Sequence, residues 1–178
     1  PTEASLLTRC RSGDTAAFRD LHRLHFAFVY RLARRLGTPE SELDDICQEV
    51  FLVAFKKIAQ FEEGELTSWL YRITSNLVTG RHRRRRVREG LFSLWGRSEQ
   101  VESSPDEQLD AKRAEAKVGR ALERMSAKKR EVFVLFELEG LPGERIAELV
   151  GCNVSTVWTR LFHARKEFRA VAQQLGVV

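Results

Sequence analysis

The chain has little from which to build a covalent or metal-centred scaffold. Cys10, Cys47 and Cys152 are its only cysteines. They are odd in number and far apart, with no CxxC pair, which argues against a disulfide framework and against a zinc site; reduced intracellular thiols are the simple account. His22 and His25 lack HExxH or ExxH company and read as structural or surface residues. No apolar run approaches the roughly 20 residues that span a bilayer, so no membrane insertion is expected. No signal-peptide core opens the sequence either, and the expected location is cytoplasmic. The first residue is Pro1 rather than methionine, which points to processing or trimming.

What is present describes a folded protein with a polyanionic partner. Hydrophobic residues make up 43% and charged residues 31% of the 178, enough to bury a core and compatible with one or two small domains. The net charge of +5 and a pI near 9.4 suit nucleic acid.

The most informative stretch runs from Pro142 to Arg169. Pro142 suits the first position of a helix, where a missing N–H costs nothing. Ile146, Leu149 and Val150 then recur at helical spacing. Gly151 ends that helix, because glycine enters the left-handed region without a Cβ penalty. Asn153 or Ser155 caps the next, in which Val154, Val157 and Leu161 face inward. Ala147 supplies the small side chain needed where two helices cross. These are the parts of a helix-turn-helix, whose second helix enters the DNA major groove. That helix carries a polar and basic surface of Ser155, Thr156, Thr159, Arg160, His163, Arg165 and Lys166; the plainer reading is a packed helical hairpin with a solvated basic face.

The remaining segments also read as helical. Asp14 looks like an N-cap, and Leu21, Leu24, Phe28, Leu32 and Leu36 mark a buried stripe that stops at Gly37-Thr38-Pro39. Ser41 caps a second helix with a broad apolar face, on which Leu43, Ile46, Val50, Val53, Ala54 and Ile58 recur and which Phe51 and Phe55 widen. After a loop from Phe61 to Glu65, a third helix starts near Leu66 and turns Trp69, Leu70, Ile73 and Leu77 inward. It runs into Arg81–Arg88, six arginines in eight residues. Such a block contacts phosphates well and reads sequence poorly; a nuclear-import or membrane-surface patch has similar composition.

From about residue 89 to 117 the character changes. Ser98, Ser103, Ser104 and Pro105 interrupt the pattern, although Leu91, Phe92, Leu94 and Trp95 are unusually apolar for a linker. Ser126 then reads as an N-cap, and Val132, Leu135, Phe136 and Leu138 as a core helix ending at Gly140. The expected fold is all-α: two small helical domains, residues 1–90 and 118–178, joined by a flexible linker at 91–117.

Three stretches, in order, carry a family resemblance. Asp44-Asp45-Ile46-Cys47-Gln48-Glu49-Val50-Phe51 looks like a D-x-x-Q-E-x-F segment. Thr67–Asn76 resembles a W-L-Y-R-I-x-x-N helix followed by an arginine-rich tail. Lys128-Lys129-Arg130-Glu131-Val132-Phe133, with Glu139-Gly140-Leu141 and the helix-turn-helix, resembles a C-terminal DNA-binding domain. Together they resemble the bacterial RNA polymerase sigma factors, specifically the short extracytoplasmic-function (ECF) group of the sigma-70 family, from about Asp14 to Leu175.

The resemblance implies a division of labour. Asp44, Asp45, Gln48 and Glu49 would hold the clamp helices of core RNA polymerase. Phe61, Glu62, Glu63, Gly64 and Asn76 would read the −10 promoter element, with Arg72, Arg81, Arg83 and Arg84 on backbone phosphates. Ser155, Thr156, Trp158, Thr159, Arg160, Phe162 and His163 would approach the −35 element, with Arg165 and Lys166 at phosphates. Trp158 and His163 depart from the family, standing where a basic residue is common. Fewer Arg–guanine contacts are then available, and thymine methyls and groove shape carry more of the readout. About 30 linker residues reach at most roughly 100 Å, beyond the roughly 60–70 Å of a promoter spacer under 20 base pairs. As a coil they average only about 30 Å, so the polymerase must hold the domains apart. The implied partners are core RNA polymerase, promoter DNA and an anti-sigma factor, with no cofactor, no metal, no small-molecule substrate and no catalytic residues. A stand-alone dimeric helix-turn-helix regulator is the alternative, and it leaves the acidic face at Asp44–Glu49 unexplained; a helical metal enzyme lacks a second acidic helix.

Overall fold

The computed structural model describes residues 2–61, 64–92 and 117–174, the side chains of 86–92 excepted. Glu62, Glu63, Leu94, Trp95, Ser98, Ser103, Ser104 and Pro105 lie outside the described residues, as do the side chains of Leu91 and Phe92. Every regular element described is helical, and the chain divides into two compact units, Pro1–Val78 and Thr79–Val178.

In the first unit, α1 (Glu3–Arg11) packs on α2 (Thr15–Arg35), and α2 on α3 (Leu43–Lys57). Helix α4 (Leu66–Phe92) begins in this unit. The periodicity did not announce α1, because only Leu6 and Cys10 of its nine residues are buried. Asp14 caps α2 as expected: its Oδ1 accepts from the N–H groups of Ala16 and Ala17 at 2.8 and 3.1 Å. The buried stripe of α2 departs from the expected one. It follows Ala17, Leu21, His25, Val29, Leu32 and Ala33, while Leu24 is 58% exposed. Helix α1 lies over it, with the Glu3 carboxylate 2.9 Å from His25 Nε2, a contact of ion-pair distance that does not meet hydrogen-bond geometry. His22 is structural too, its ring 4.3 Å from that of Phe51.

Ser41 does not cap α3. A 3₁₀ turn, Glu40–Glu42, leads into it, and Glu42 holds the N-cap position without a side-chain cap bond. Asp44 and Asp45 in that turn supply the negative charge that suits a helix N-terminus. The apolar face of α3 is narrower than expected: Phe51 is buried, but Phe55 is 46% exposed, edge-on to Phe18 at 5.0 Å.

The second unit holds α5 (residues 117–123), α6 (Ala127–Phe133), α7 (Gly143–Val150) and α8 (Val154–Gln174). Ser126 stands at the N-cap of α6 without a side-chain bond. The expected single core helix ending at Gly140 becomes α6 followed by a π-helical turn, Val134–Leu138, closed by Glu139 N–H on the Val134 carbonyl at 3.0 Å. Buried Arg130 ties α5 to α6, donating to the carbonyls of Leu122, Glu123 and Met125 at 2.6, 2.8 and 3.1 Å.

The corner between α7 and α8 follows the sequence closely. Gly151 has φ 66° and ψ 47°, and Cys152 N–H closes the helix end on the Ala147 carbonyl at 3.0 Å. Ile146, Leu149, Val157 and Leu161 are buried between the helices. Asn153 holds the cap position of α8, its carbonyl accepting from Thr156 and Val157; Ser155 lies within the helix. Pro142 is displaced by one from the expected place. It is the N-cap of α7, and Gly143 is the first helical residue.

Candidate protein and nucleic-acid interfaces

On α3, burial of Leu43, Ile46, Cys47 and Val50 against the core leaves the opposite side to water. Asp44, Asp45 and Gln48 are exposed there and Glu49 is half-buried. Positions 45, 48 and 49 stand at i, i+3 and i+4, so they form one polar face. Leu52, 53% exposed, continues it one turn further. Hydrophobic periodicity passed over Leu52 because it belongs to the side without a buried stripe. Beneath the face the Cys47 thiol is pushed up to about 11 by burial, with the Asp44 charge adding to the shift.

The loop before α4 is anchored by Phe61. Its ring is 7% exposed and lies 5.2 Å from the Trp69 ring. Arg11 donates to its backbone carbonyl and sits over the ring at 5.9 Å. The Phe61 ring is therefore packed inside the unit, under a cover from α1 that the periodicity did not announce. Gly64 follows at φ 118°, a backbone conformation that any side chain would strain.

On α4 itself, Leu66, Leu70 and Ile73 enter the core, and Tyr71 and Thr74 are buried with them. The Thr74 hydroxyl donates to the Leu70 carbonyl at 2.8 Å, satisfying its own burial. Arg72 and Asn76, four residues apart, stand on the exposed side. Further along the helix Arg83, Arg84 and Arg85 are exposed and Arg81 is half-buried.

On α8, Ser155, Trp158, Thr159, Phe162, His163, Arg165 and Lys166 are exposed, and Thr156 and Arg160 half-buried. Phe162 is 67% exposed and meets the His163 ring edge-on at 5.4 Å. Several of these side chains are already engaged within the unit. Trp158 lies against Gly143 so closely that a Cβ there would stand 2.6 Å from its ring, and it meets Phe136 edge-on at 5.4 Å. Arg160 Nη1 approaches Cys152 Sγ at 3.7 Å. Arg165 Nε donates to Glu137 Oε1 at 2.6 Å, with its guanidinium 5.3 Å from the centre of the Phe136 ring. Phe136, Glu137 and Gly143 were not among the site residues read from sequence. The π turn places the first two, and no pattern of apolar spacing signals a π turn.

Among the described residues no group of three or more His, Cys, Asp or Glu gathers where a metal ion could be held, and no helix is long and apolar enough to cross a membrane. The arrangement offers surfaces for macromolecules: an acid-and-amide face on α3, an exposed arginine and asparagine on α4 with arginines beyond them, and a polar, basic and aromatic face on the second helix of a helix-turn-helix.

Comparison with known proteins follows this division. Residues 21–89 match the family described as sigma-70 region 2, and residues 115–168 the one described as sigma-70, region 4. The ECF RNA polymerase sigma factor SigE of Mycolicibacterium smegmatis is 33% identical over 163 residues; the match takes in 89% of this chain and 63% of that relative's length. The RNA polymerase sigma factor NccH of Alcaligenes xylosoxydans xylosoxydans is 30% identical over 180 residues, with 98% of this chain and 97% of the relative covered. Among solved structures, the sigma factor RpoE in complex with the anti-sigma factor NepR, from Bartonella quintana, is similar at a TM-score of 0.70 and 26% identity, over 88% of this chain and 96% of that one.

Proposed function

We infer the working of this chain from one premise: it belongs to the sigma-70 family of RNA polymerase sigma factors, in the extracytoplasmic-function group. It is a promoter-recognising initiation factor that binds core RNA polymerase and directs it to −10 and −35 elements. Residues 1–90 take the polymerase and the −10 element, and residues 118–178 take the −35 element. The observation that carries the polymerase contact is the outward placement of Asp44, Asp45 and Gln48 on α3. Carboxylates aimed into water from a helix whose other side is fully buried are placed for a cationic partner surface, and the exposed Leu52 beside them gives that contact an apolar centre.

At the −10 element, melting without ATP requires a flipped base to regain the few kcal/mol it loses on leaving the stack. With Phe61 in the core, that role falls to Asn76, whose amide both donates and accepts, and to the loop backbone around Gly64. Arg72, Arg81, Arg83 and Arg84 hold phosphates. At the −35 element, Ser155, Thr159, Phe162 and His163 face the groove, and Arg165 and Lys166 the backbone. The factor has no active site of its own, works in the cytoplasm where the polymerase is, and is held inactive by an anti-sigma factor that covers exposed apolar residues such as Leu52 and Phe162.

The test is transcription in vitro with core polymerase, with and without the chain, over a pool of promoters. Asp45→Arg abolishes co-purification with core enzyme while circular dichroism stays unchanged; normal binding by that variant would remove the α3 assignment. Asn76→Ala weakens open-complex formation more than duplex binding, and equal effects on both would remove its base-reading role.

A further inference from the structure

We propose that Glu137 is a positioning residue for DNA binding: with the Phe136 ring, it holds the Arg165 guanidinium so that its outer edge meets a backbone phosphate. The inference rests on the reading of α8 as the −35 helix and adds to it a residue outside the helix-turn-helix.

Three observations carry it. First, the carboxylate engages Nε, at 2.6 Å, and not the terminal nitrogens. Arginine has five N–H donors in a rigid fork, and the four on the terminal nitrogens suit the paired oxygens of a phosphate. Second, the guanidinium lies over Phe136, 5.3 Å from the ring centre, which restrains the group from a second side. Third, Phe136 and Glu137 both belong to the π-helical turn Val134–Leu138. A π turn inserts an extra residue and so turns the side chains that follow it; such turns are frequent at functional sites. Here the turn puts an acceptor and a ring under one arginine of α8.

Arg165 is 48% exposed and Glu137 32% exposed, so the pair contributes little to folding. Its effect is on the freedom of a long side chain that must be fixed when DNA binds. That cost is met beforehand. The consequence opposes simple electrostatics, in which removing a negative charge from a DNA-binding face strengthens binding.

The experiment uses the full chain assembled with bacterial core RNA polymerase. Its probe is the duplex that this holoenzyme selects from a pool randomised across the −35 region. Affinity is measured across a salt series for wild type, Glu137→Ala, Glu137→Gln, Arg165→Ala and the Glu137→Ala/Arg165→Ala double variant, with thermal unfolding as the check on folding. Glu137→Ala weakens binding about two- to tenfold with the salt slope unchanged. Glu137→Gln, which keeps an oxygen acceptor for Nε, falls between wild type and Glu137→Ala. Arg165→Ala shallows the slope by about 0.9, one phosphate contact, and in that background Glu137→Ala costs nothing further. Glu137→Ala binding as tightly as wild type, or more tightly, overturns the proposal while leaving α8 as the −35 helix if Arg165→Ala still weakens binding. An unchanged affinity and slope in Arg165→Ala overturns both the proposal and the placement of Arg165 at a phosphate.

Discussion

Arg130 offers the sharpest test of what holds the C-terminal unit together. Its side chain is buried, 6% exposed, and its donors reach the carbonyls of Leu122, Glu123 and Met125 at the end of α5 and in the turn after it. Carbonyls at a helix end lack the donor one turn on; the guanidinium substitutes for it at Glu123 and Met125 and adds to the Met125 N–H at Leu122. Arg130→Met keeps much of the apolar stem and removes all three bonds. The Glu123 carbonyl is only partly buried and regains water, and that of Leu122 keeps the N–H of Met125 at 3.1 Å; the buried Met125 carbonyl loses its donor. One orphaned acceptor at about 1–3 kcal/mol gives a loss of about 2 kcal/mol. Replacing a buried ion together with its partners by apolar groups is often harmless, but here one side alone is replaced and the carbonyls remain. Against a domain stability of about 5–15 kcal/mol, the loss lowers the unfolding midpoint by roughly 8–16 °C. Hydrogen exchange on the full chain locates it: amides of α6 and α8 lose protection, and those of α2 and α3 keep theirs. Arg130→Lys, with a single ammonium, falls between. A loss below about 1 kcal/mol in Arg130→Met would refute the reasoning, because desolvation of the guanidinium would then be offsetting the bonds it makes.

Three further outcomes follow from particular contacts. Gly143→Ala places a Cβ 2.6 Å from the Trp158 ring, an overpacking expected to cost about 1–3 kcal/mol. Thermal unfolding should show most of it recovered in Gly143→Ala/Trp158→Leu, and no recovery would mean that the ring is not what the Cβ meets. The Asp14 carboxyl is held below its usual range, chiefly by the N–H of Ala17 and by Arg9. A depressed carboxyl stabilises the fold above its unfolded value of about 3.9 and loses that contribution as pH falls towards its folded value. Asp14→Asn, a neutral cap, should flatten the midpoint's acid dependence below about pH 4, and an unaltered profile would place the dependence elsewhere. Burial raises the thiols of Cys10 and Cys47, the latter to about 11, whereas Cys152 is only partly covered. A thiol reagent at pH 8 should therefore label Cys152 first, with the other two reacting only in denaturant; rapid labelling of all three would show that the first unit opens readily.

How far the sequence led depends on how much of each element's burial is apolar and regular. The α7–α8 corner was legible because four aliphatic residues, Ile146, Leu149, Val157 and Leu161, bracket a left-handed Gly151. The acidic face of α3 was legible as a face, since apolar residues on the other side fix which way it points. Helix α1 was not, because two buried residues in nine carry no periodic signal. Its absence from the reading then propagated. Without α1 there was no reason for His25 rather than Leu24 to face inward, and without Arg11 no reason for the Phe61 ring to be covered.

The recognition helix shows a different limit. Exposure on α8 identifies the residues that reach solvent, and by that measure Trp158 and Arg165 resemble Phe162 and Lys166. Their contacts separate them. Trp158 is wedged between Gly143 and Phe136, and Arg165 is gripped by Glu137, so both are fixed from inside the unit before any partner arrives. Phe162, two-thirds exposed, touches the neighbouring His163 ring. A residue held rigidly contributes geometry to a complex, and one held loosely contributes contact area at the cost of its own ordering. Trp158 stands where the family resemblance implies a basic side chain, and its indole is instead packed on Gly143 of α7 and on the Phe136 ring. On the proposed −35 reading, base contacts from the middle of this helix would fall to Thr159, Phe162 and His163, a set with one hydroxyl, one imidazole and an apolar ring suited to a thymine methyl. The −35 sequences selected by the holoenzyme should accordingly be richer in thymine than in guanine opposite Phe162. A guanine there that survives Phe162→Ala unchanged would show that the ring is not the reader.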